Sequence, residues 1–203
     1  FQKDLPQTHS RERLLYDKWV TGSYWERHGI TAKGKWLRRD ARLIERLSNS
    51  AGPPEGDAWV TVRDAIADLP DPEISKHNGY SNHAFQSGAR AYKGHTGSPY
   101  DEPAKTIKVP GGENMLRRED GTVRYFTVRE TARLQCFPDR YVLSGAWGEA
   151  MRQLGNAVPV MLGERVMQSV VKYLSAHGSS QRRDPMSVRK TAAYKCPSVP
   201  GAY

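Results

Sequence analysis

The stretch RYFTVRETARLQCFPDRY, Arg124 to Tyr141, decides how the rest of the chain is read. Thr127 and Glu130 stand at the T-x-x-E spacing of a capping box, so a helix is expected from Val128 to about Cys136, with Pro138 stopping it. Val128, Ala132 and Cys136 share one face at four-residue spacing, and Leu134 and Phe137 widen it. Cys136 poses the first chemical question, because it is one of only two cysteines. A reactive thiol wants a helix N-terminus or a basic neighbour to lower its pKa, whereas Cys136 falls at a C-terminus whose dipole works the other way. It is read as a small core residue, and no catalytic or metal-binding residue is assigned in this chain.

Upstream of that helix, NMLRREDGTVRYFT places Asp120-Gly121 between two strand-like runs, the signal for a tight hairpin. Before it, residues 73–113 are rich in Gly, Ser, Asn, His and Tyr and nearly aperiodic, with AKTIKV (104–109) as the one strand expected there. So long an irregular stretch inside a domain is more often functional than not. Its chemistry suits DNA: Arg90, Lys93, Lys105 and Lys108 can meet phosphates, Asn, Gln, Ser and His can read base edges, and Tyr80, Phe85, Tyr92 and Tyr100 add aromatic faces. The plainer alternative is an adaptable surface loop. TVRDAIADLPDP predicts a short helix capped by Thr61 and Asp64 and ended by Pro70 and Pro72.

Residues 8–47 read as helical, with Leu14, Leu15, Trp19 and Val20 at three- and four-residue spacing. Downstream, AWGEAMRQ predicts a helix near 146–153, which Gly155-Asn156 would stop. Pro159 can start a last helix, to about 175, with Leu162, Val166, Val170 and Tyr173 on one face. GNAVP is, on its own, no more than a tight link between two helices. Residues 179–203 carry five basic residues, three prolines and no period, and are expected to be a disordered tail.

Composition narrows the setting. A chain of 203 residues suffices for one domain with a core, or a small domain with extensions. No apolar run of about 18 residues and no charged-then-apolar leader occurs, so a cytoplasmic protein with no membrane span is expected. Two cysteines without a CxxC exclude a disulfide scaffold and a cysteine-rich zinc site. The net charge of +9 favours a polyanionic partner, the alternative being a basic but indifferent surface.

RYFTVRETARLQCFPD followed by QLGNAVPV resembles the ninth and tenth conserved blocks of DNA (cytosine-5) methyltransferases, in the right order. THSRERLLYDKWVTGSYWERHG, TVRDAIADLP and GHTGSPYDEPAKTIK…VPGGENML are similar to the lead-in and target recognition domain of one bacterial branch of that family, so the resemblance covers about residues 5–178. It implies an α+β fold: a small, loop-rich recognition domain with short strands and a hairpin, and C-terminal helices that dock on an α/β catalytic domain outside this chain. The implied division is 1–70 helical lead-in, 71–145 recognition domain with block nine, 146–178 closing helices with block ten, and 179–203 tail.

The family attacks C6 of a flipped cytosine with a cysteine in a Pro-Cys-Gln block, helped by a Glu-Asn-Val block, and holds S-adenosylmethionine over a Phe-x-Gly-x-Gly block. None of those strings occurs here. The resemblance therefore implies the DNA-recognition half of a methyltransferase, with double-stranded DNA and a Pro-Cys-Gln-bearing subunit or domain as partners. A natural split enzyme and a fragment of a single-chain one both fit. By the same resemblance, Thr106 contacts the phosphate beside the flipped base, and Ser98 lies in the loop that enters the major groove. Gly111 and Gly112 belong to a second recognition loop, Asn156 and Ala157 line the S-adenosylmethionine pocket, and Arg129 and Glu130 brace the small domain. The alternative from another class is a stand-alone DNA-binding or regulatory protein that lost the chemistry. The retained GNAVP speaks against it, since a pure DNA binder has no use for a block that completes a cofactor pocket.

Overall fold

The computed structural model describes residues 7–32, 40–74, 79–109 and 114–177. They fall into two compact units that divide between Val60 and Thr61. The helical lead-in expected over 1–70 therefore ends sooner, and Thr61 opens the larger unit.

In the smaller unit, β1 (His9–Ser10) pairs in parallel with β2 (Asp57–Ala58). Ser10 then caps α1 (Arg11–Trp19), its Oγ accepting the Arg13 N–H at 3.1 Å. Gly22, with a φ of 78°, turns the chain into α2 (Ser23–Arg27), and α3 (Ala41–Ser48) follows. Leu14 packs with Tyr24 and Trp25, while its neighbour Leu15 packs with Ile44 and Leu47, so α1 serves two small clusters at once. The Lys18 ammonium lies 5.4–5.7 Å from the ring centroids of Trp19, Tyr24 and Trp25, which offsets the cost of its burial.

The larger unit starts with α4 (Val62–Ile66) and the capping box expected from its sequence. Thr61 Oγ1 accepts the Asp64 N–H at 3.2 Å, and Asp64 Oδ2 accepts the Thr61 N–H at 2.8 Å. The next two orphan donors, Val62 and Arg63 N–H, bond the carbonyls of Glu102 and Tyr100 at 2.9 and 2.7 Å. Those bonds anchor the irregular stretch to the helix start. A three-stranded sheet runs in the order β3 (Ser98–Pro99), β4 (Met115–Arg117), β5 (Val123–Tyr125). β4 and β5 form the expected antiparallel hairpin around Asp120-Gly121, and β3 joins β4 in parallel. α4 packs on the sheet through Val62, Ala65, Ile66, Leu116 and Phe126.

α5 (Val128–Leu134) begins at the expected capping box, with Thr127 Oγ1 and Glu130 exchanging backbone partners. It ends sooner than expected. Cys136 takes a left-handed φ of 59°, and the N–H groups of Cys136 and Phe137 bond the carbonyls of Arg133 and Ala132 at 2.8 and 2.9 Å. This is a Schellman closure, in which glycine is the usual occupant of the position Cys136 fills. Cys136 has therefore left the helical face and is half-buried, which corrects its expected place in the core. Val128 and Ala132 do pack, with Leu143, Ala150, Met151 and Leu154 of the region ending in α6 (Trp147–Asn156). α7 (Val160–His177) follows. α5 and α6 share that one core, so the expected division at 145/146 falls inside it.

Two expectations differ locally. Residues 104–109 pair with no strand, because side chains take the bonds a ladder would make. The turn at 155–157 also departs: Gly155 and Asn156 remain inside α6, and Ala157 caps it with an extended backbone (φ −78°, ψ 148°). Asn156 is thus helical and does not stop the helix by a left-handed turn.

Candidate DNA and cofactor interface

Three of the four arginines in the stretch 124–141 face inward, and Arg140 is exposed. Arg124, buried on β5, sends Nη1 and Nη2 to the Oε2 and Oε1 of buried Glu130 at 2.7 and 2.6 Å. Burial pushes the guanidinium pKa down, but the hydrogen bonds and charge of Glu130 outweigh it and hold Arg124 above its ordinary value. Arg129, fully buried, donates to the carbonyls of Ser81, Pro138 and Tyr141 at 3.0, 3.2 and 2.8 Å. Arg133 grips Asp139 through two bonds of 2.9 and 2.6 Å and also reaches Asp68. The paired Arg133 guanidinium holds the Asp139 carboxyl below the usual carboxylate range. Asp139 Oδ1 lies 3.7 Å from Arg129 Nη1, so each of these three guanidiniums has a carboxylate within the fold.

The segment 104–109 is built the opposite way, with its backbone tied inward and its basic side chains exposed. Lys105 N–H donates to Ser98 Oγ at 3.0 Å. The Asn114 carboxamide clamps Lys108 from both sides, accepting its N–H and donating to its carbonyl, both at 2.9 Å. Asn82 does the same for Leu143, again with two bonds of 2.9 Å, so asparagine side chains stand in for strand partners twice. Lys105, Thr106 and Lys108 are exposed, and Thr106 makes no side-chain hydrogen bond to another described residue. A hydroxyl and two ammonium groups on one tethered segment match the needs of a phosphate backbone.

Ser98 differs from its expected role. It is 3% exposed, and its hydroxyl serves Lys105 within the fold, where a groove contact needs it at the surface. The adjacent Gly97 has a φ of 70°, and a Cβ there would lie 3.0 Å from the Arg117 nitrogen, so glycine is what lets β3 approach β4. Arg90 is exposed and unbonded among the described residues. Tyr92 and His95 close a tight turn with two backbone bonds of 3.3 and 2.8 Å, stack at 4.3 Å, and leave Lys93 exposed at its tip. Gly111 and Gly112, and the tail from 179 to 203, lie outside the described residues.

The cofactor candidates sit on a turn fixed from behind by Gln135, which sequence reasoning passed over. Gln135 Nε2 donates to the Leu154 carbonyl, and the Gln135 carbonyl accepts the Val160 N–H at 3.1 Å, so one residue brackets the whole turn. Asn156 is exposed, Ala157 half-buried, and the Asn156 carboxamide makes no hydrogen bond to another described residue. A neutral donor and acceptor held on a fixed turn fit one edge of a nucleoside-type ligand such as S-adenosylmethionine. The two candidate regions also meet: a Cβ built on Gly155 would fall 2.3 Å from Val109 Cγ2 and 3.4 Å from the Lys108 carbonyl oxygen.

The model of the C-5 cytosine-specific DNA methylase family matches residues 5–172, and the chain belongs to that family. Among curated relatives, it is 36% identical over 123 residues to the type II methyltransferase M.Sau96I of Staphylococcus aureus, which covers 60% of this chain and 26% of that protein. It is 31% identical over 177 residues to the type II methyltransferase M.Eco47II of Escherichia coli, covering 84% of this chain and 38% of that one. The chain thus spans 26% and 38% of the length of these two relatives. The solved S. pombe Dnmt2 methyltransferase is 19% identical, with a TM-score of 0.40 over 72% of this chain and 50% of that one, too slight a likeness to carry an argument.

Proposed function

We propose that this chain is the DNA-recognition half of a DNA (cytosine-5) methyltransferase of a restriction–modification system. The Pro-Cys-Gln nucleophile comes from a catalytic half, which is either a separate subunit or another part of one polypeptide. The observation that carries this reading is α7. It begins where Gln135 ties it to the core, yet it exposes Leu162, Met167, Val171 and Leu174 at 49–59%. A helix so apolar is ordinarily covered, and the catalytic domain of the same family is the cover that its resemblance implies.

In this reading Thr106 and Lys105 hold the phosphates next to the target cytosine, Lys108 and Arg90 extend that grip, and the buried arginines keep the platform rigid. Asn156 and Ala157 bind an edge of S-adenosylmethionine, which supplies the methyl group that ends on C5 of the flipped base. The cysteine among the described residues, Cys136, is half-buried in the closing turn of α5, and this reading gives it no chemical part.

The test is reconstitution. The chain, mixed or co-expressed with the polypeptide that carries Pro-Cys-Gln, is expected to incorporate methyl label into DNA, and neither component alone is expected to. A complex that binds DNA but never methylates it would return the chain to the class of DNA-binding regulators.

A further inference from the structure

The contact between Gly155 and Val109 joins regions with different tasks, and it has a mechanical consequence. Gly155 is inside α6, one residue before Asn156, where glycine is a poor helix former and needs another reason to be present. Its φ is not in the left-handed range, so no turn requires it. The reason lies across the contact. Val109 Cγ2 occupies the place of the missing Cβ at 2.3 Å, with the Lys108 carbonyl oxygen behind it at 3.4 Å. That carbonyl is already held by Asn114 Nδ2 at 2.9 Å, so Lys108 is fixed between Asn114 and α6.

We infer that Gly155 is a positioning residue for DNA recognition: its bare backbone seats Val109, and with it the exposed Lys108 and Thr106, against the turn that carries Asn156. The inference rests on the proposed function above and deepens it by linking the phosphate grip to the cofactor edge. An added methyl must open the contact from 2.3 Å to about 3.4 Å, the onset of ordinary packing. Valine is β-branched and stiff at χ1, and Asn114 restrains the preceding backbone, so Val109 must leave its rotamer, or the segment or the turn must move. In each case the seat of Lys108 and Thr106 against the turn changes.

The experiment compares Gly155→Ala, Val109→Ala and the double variant in the joined enzyme, with thermal melts beside the kinetics. Gly155→Ala is expected to raise KM for DNA and KM for S-adenosylmethionine together and to lower kcat/KM on the order of ten- to a hundredfold, as a displacement of about 1 Å does in other enzymes. Gly155→Ala/Val109→Ala is expected to recover most of the loss, because the colliding methyl is gone. In the recognition chain alone, a DNA titration by fluorescence anisotropy is expected to follow the same order of variants. Unchanged KM values in Gly155→Ala, a fall in melting temperature alone, or a double variant no better than the single would overturn the inference. Failure of the wild-type joined enzyme to methylate would sink the proposed function instead, and the anisotropy series would still decide whether Gly155 sets the DNA-contacting segment.

Discussion

Replacing Glu130 by glutamine removes one charge from a pair that water does not reach, since the side chains of Arg124 and Glu130 are 5% and 2% exposed. The carboxylate makes two bonds of 2.6 and 2.7 Å to the guanidinium and a third, at 2.8 Å, to the Thr127 N–H that starts α5. In Glu130→Gln the amide oxygen can keep one of these bonds, while its NH2 group faces an arginine that has nothing to accept. Breaking a buried pair from one side costs about 3–5 kcal/mol, because the remaining charge is left uncompensated. In a domain of this size that corresponds to a fall in Tm of roughly 6–20 °C. The assay is thermal unfolding by circular dichroism of the wild type, Glu130→Gln, Arg124→Met and Arg124→Met/Glu130→Leu. The double variant removes both charges and is expected to be more stable than either single one, short of wild type by about 1 kcal/mol for the lost cap. A loss below about 1 kcal/mol in Glu130→Gln, or additive losses in the double variant, would refute the claim that this pair is a closed internal unit.

Cys136→Gly is expected to leave Tm unchanged or raised, because glycine suits a φ of 59°, while Cys136→Val loses about 1–2 kcal/mol; thermal melts separate the two. Asn156→Ala is expected to raise KM for S-adenosylmethionine in the joined enzyme with DNA affinity nearly unchanged, whereas equal cofactor titrations would reduce the turn to a link between helices. Lys105→Ala is expected to weaken DNA binding across all sequences and to lower the slope of log K against log salt by about 1, as read from anisotropy at several salt concentrations. The depressed pKa of Asp139 sets a pH dependence. Its contribution to stability is present above the unfolded carboxyl value of 3.8 and is lost as pH falls through the lower folded value, so acid melts of Asp139→Asn should converge on wild type only there.

What the sequence made legible was local. T-x-x-E at 127–130, T-x-x-D at 61–64 and Asp120-Gly121 each name a backbone geometry through bonds between near neighbours, and each is present. The misses share a different cause. Strand 104–109 is absent because Ser98 and Asn114 take its backbone bonds, and nothing in AKTIKV announces partners elsewhere in the chain. Four-residue spacing puts Cys136 on the helical face because that spacing continues past the point where a Schellman closure turns the chain away. Gly155 looked like a helix stop, and its actual neighbour, Val109, is distant in sequence. The exposure of Lys105 and Lys108 follows from residue type, whereas the burial of Ser98 depends on β3 joining β4 in parallel.

The cysteine that attacks the base is expected to lie outside this chain. DNA carrying 5-fluorocytosine at the target position cannot lose the group at C5 after methyl transfer, so the attacking sulfur stays joined to C6. Incubating that DNA with S-adenosylmethionine and the joined enzyme, then mapping the adduct by mass spectrometry, identifies the nucleophile directly. The adduct is expected on the cysteine of a Pro-Cys-Gln sequence in the catalytic half, with none on Cys136 or Cys196. An adduct on either cysteine of this chain would contradict the assignment of recognition and chemistry to separate halves.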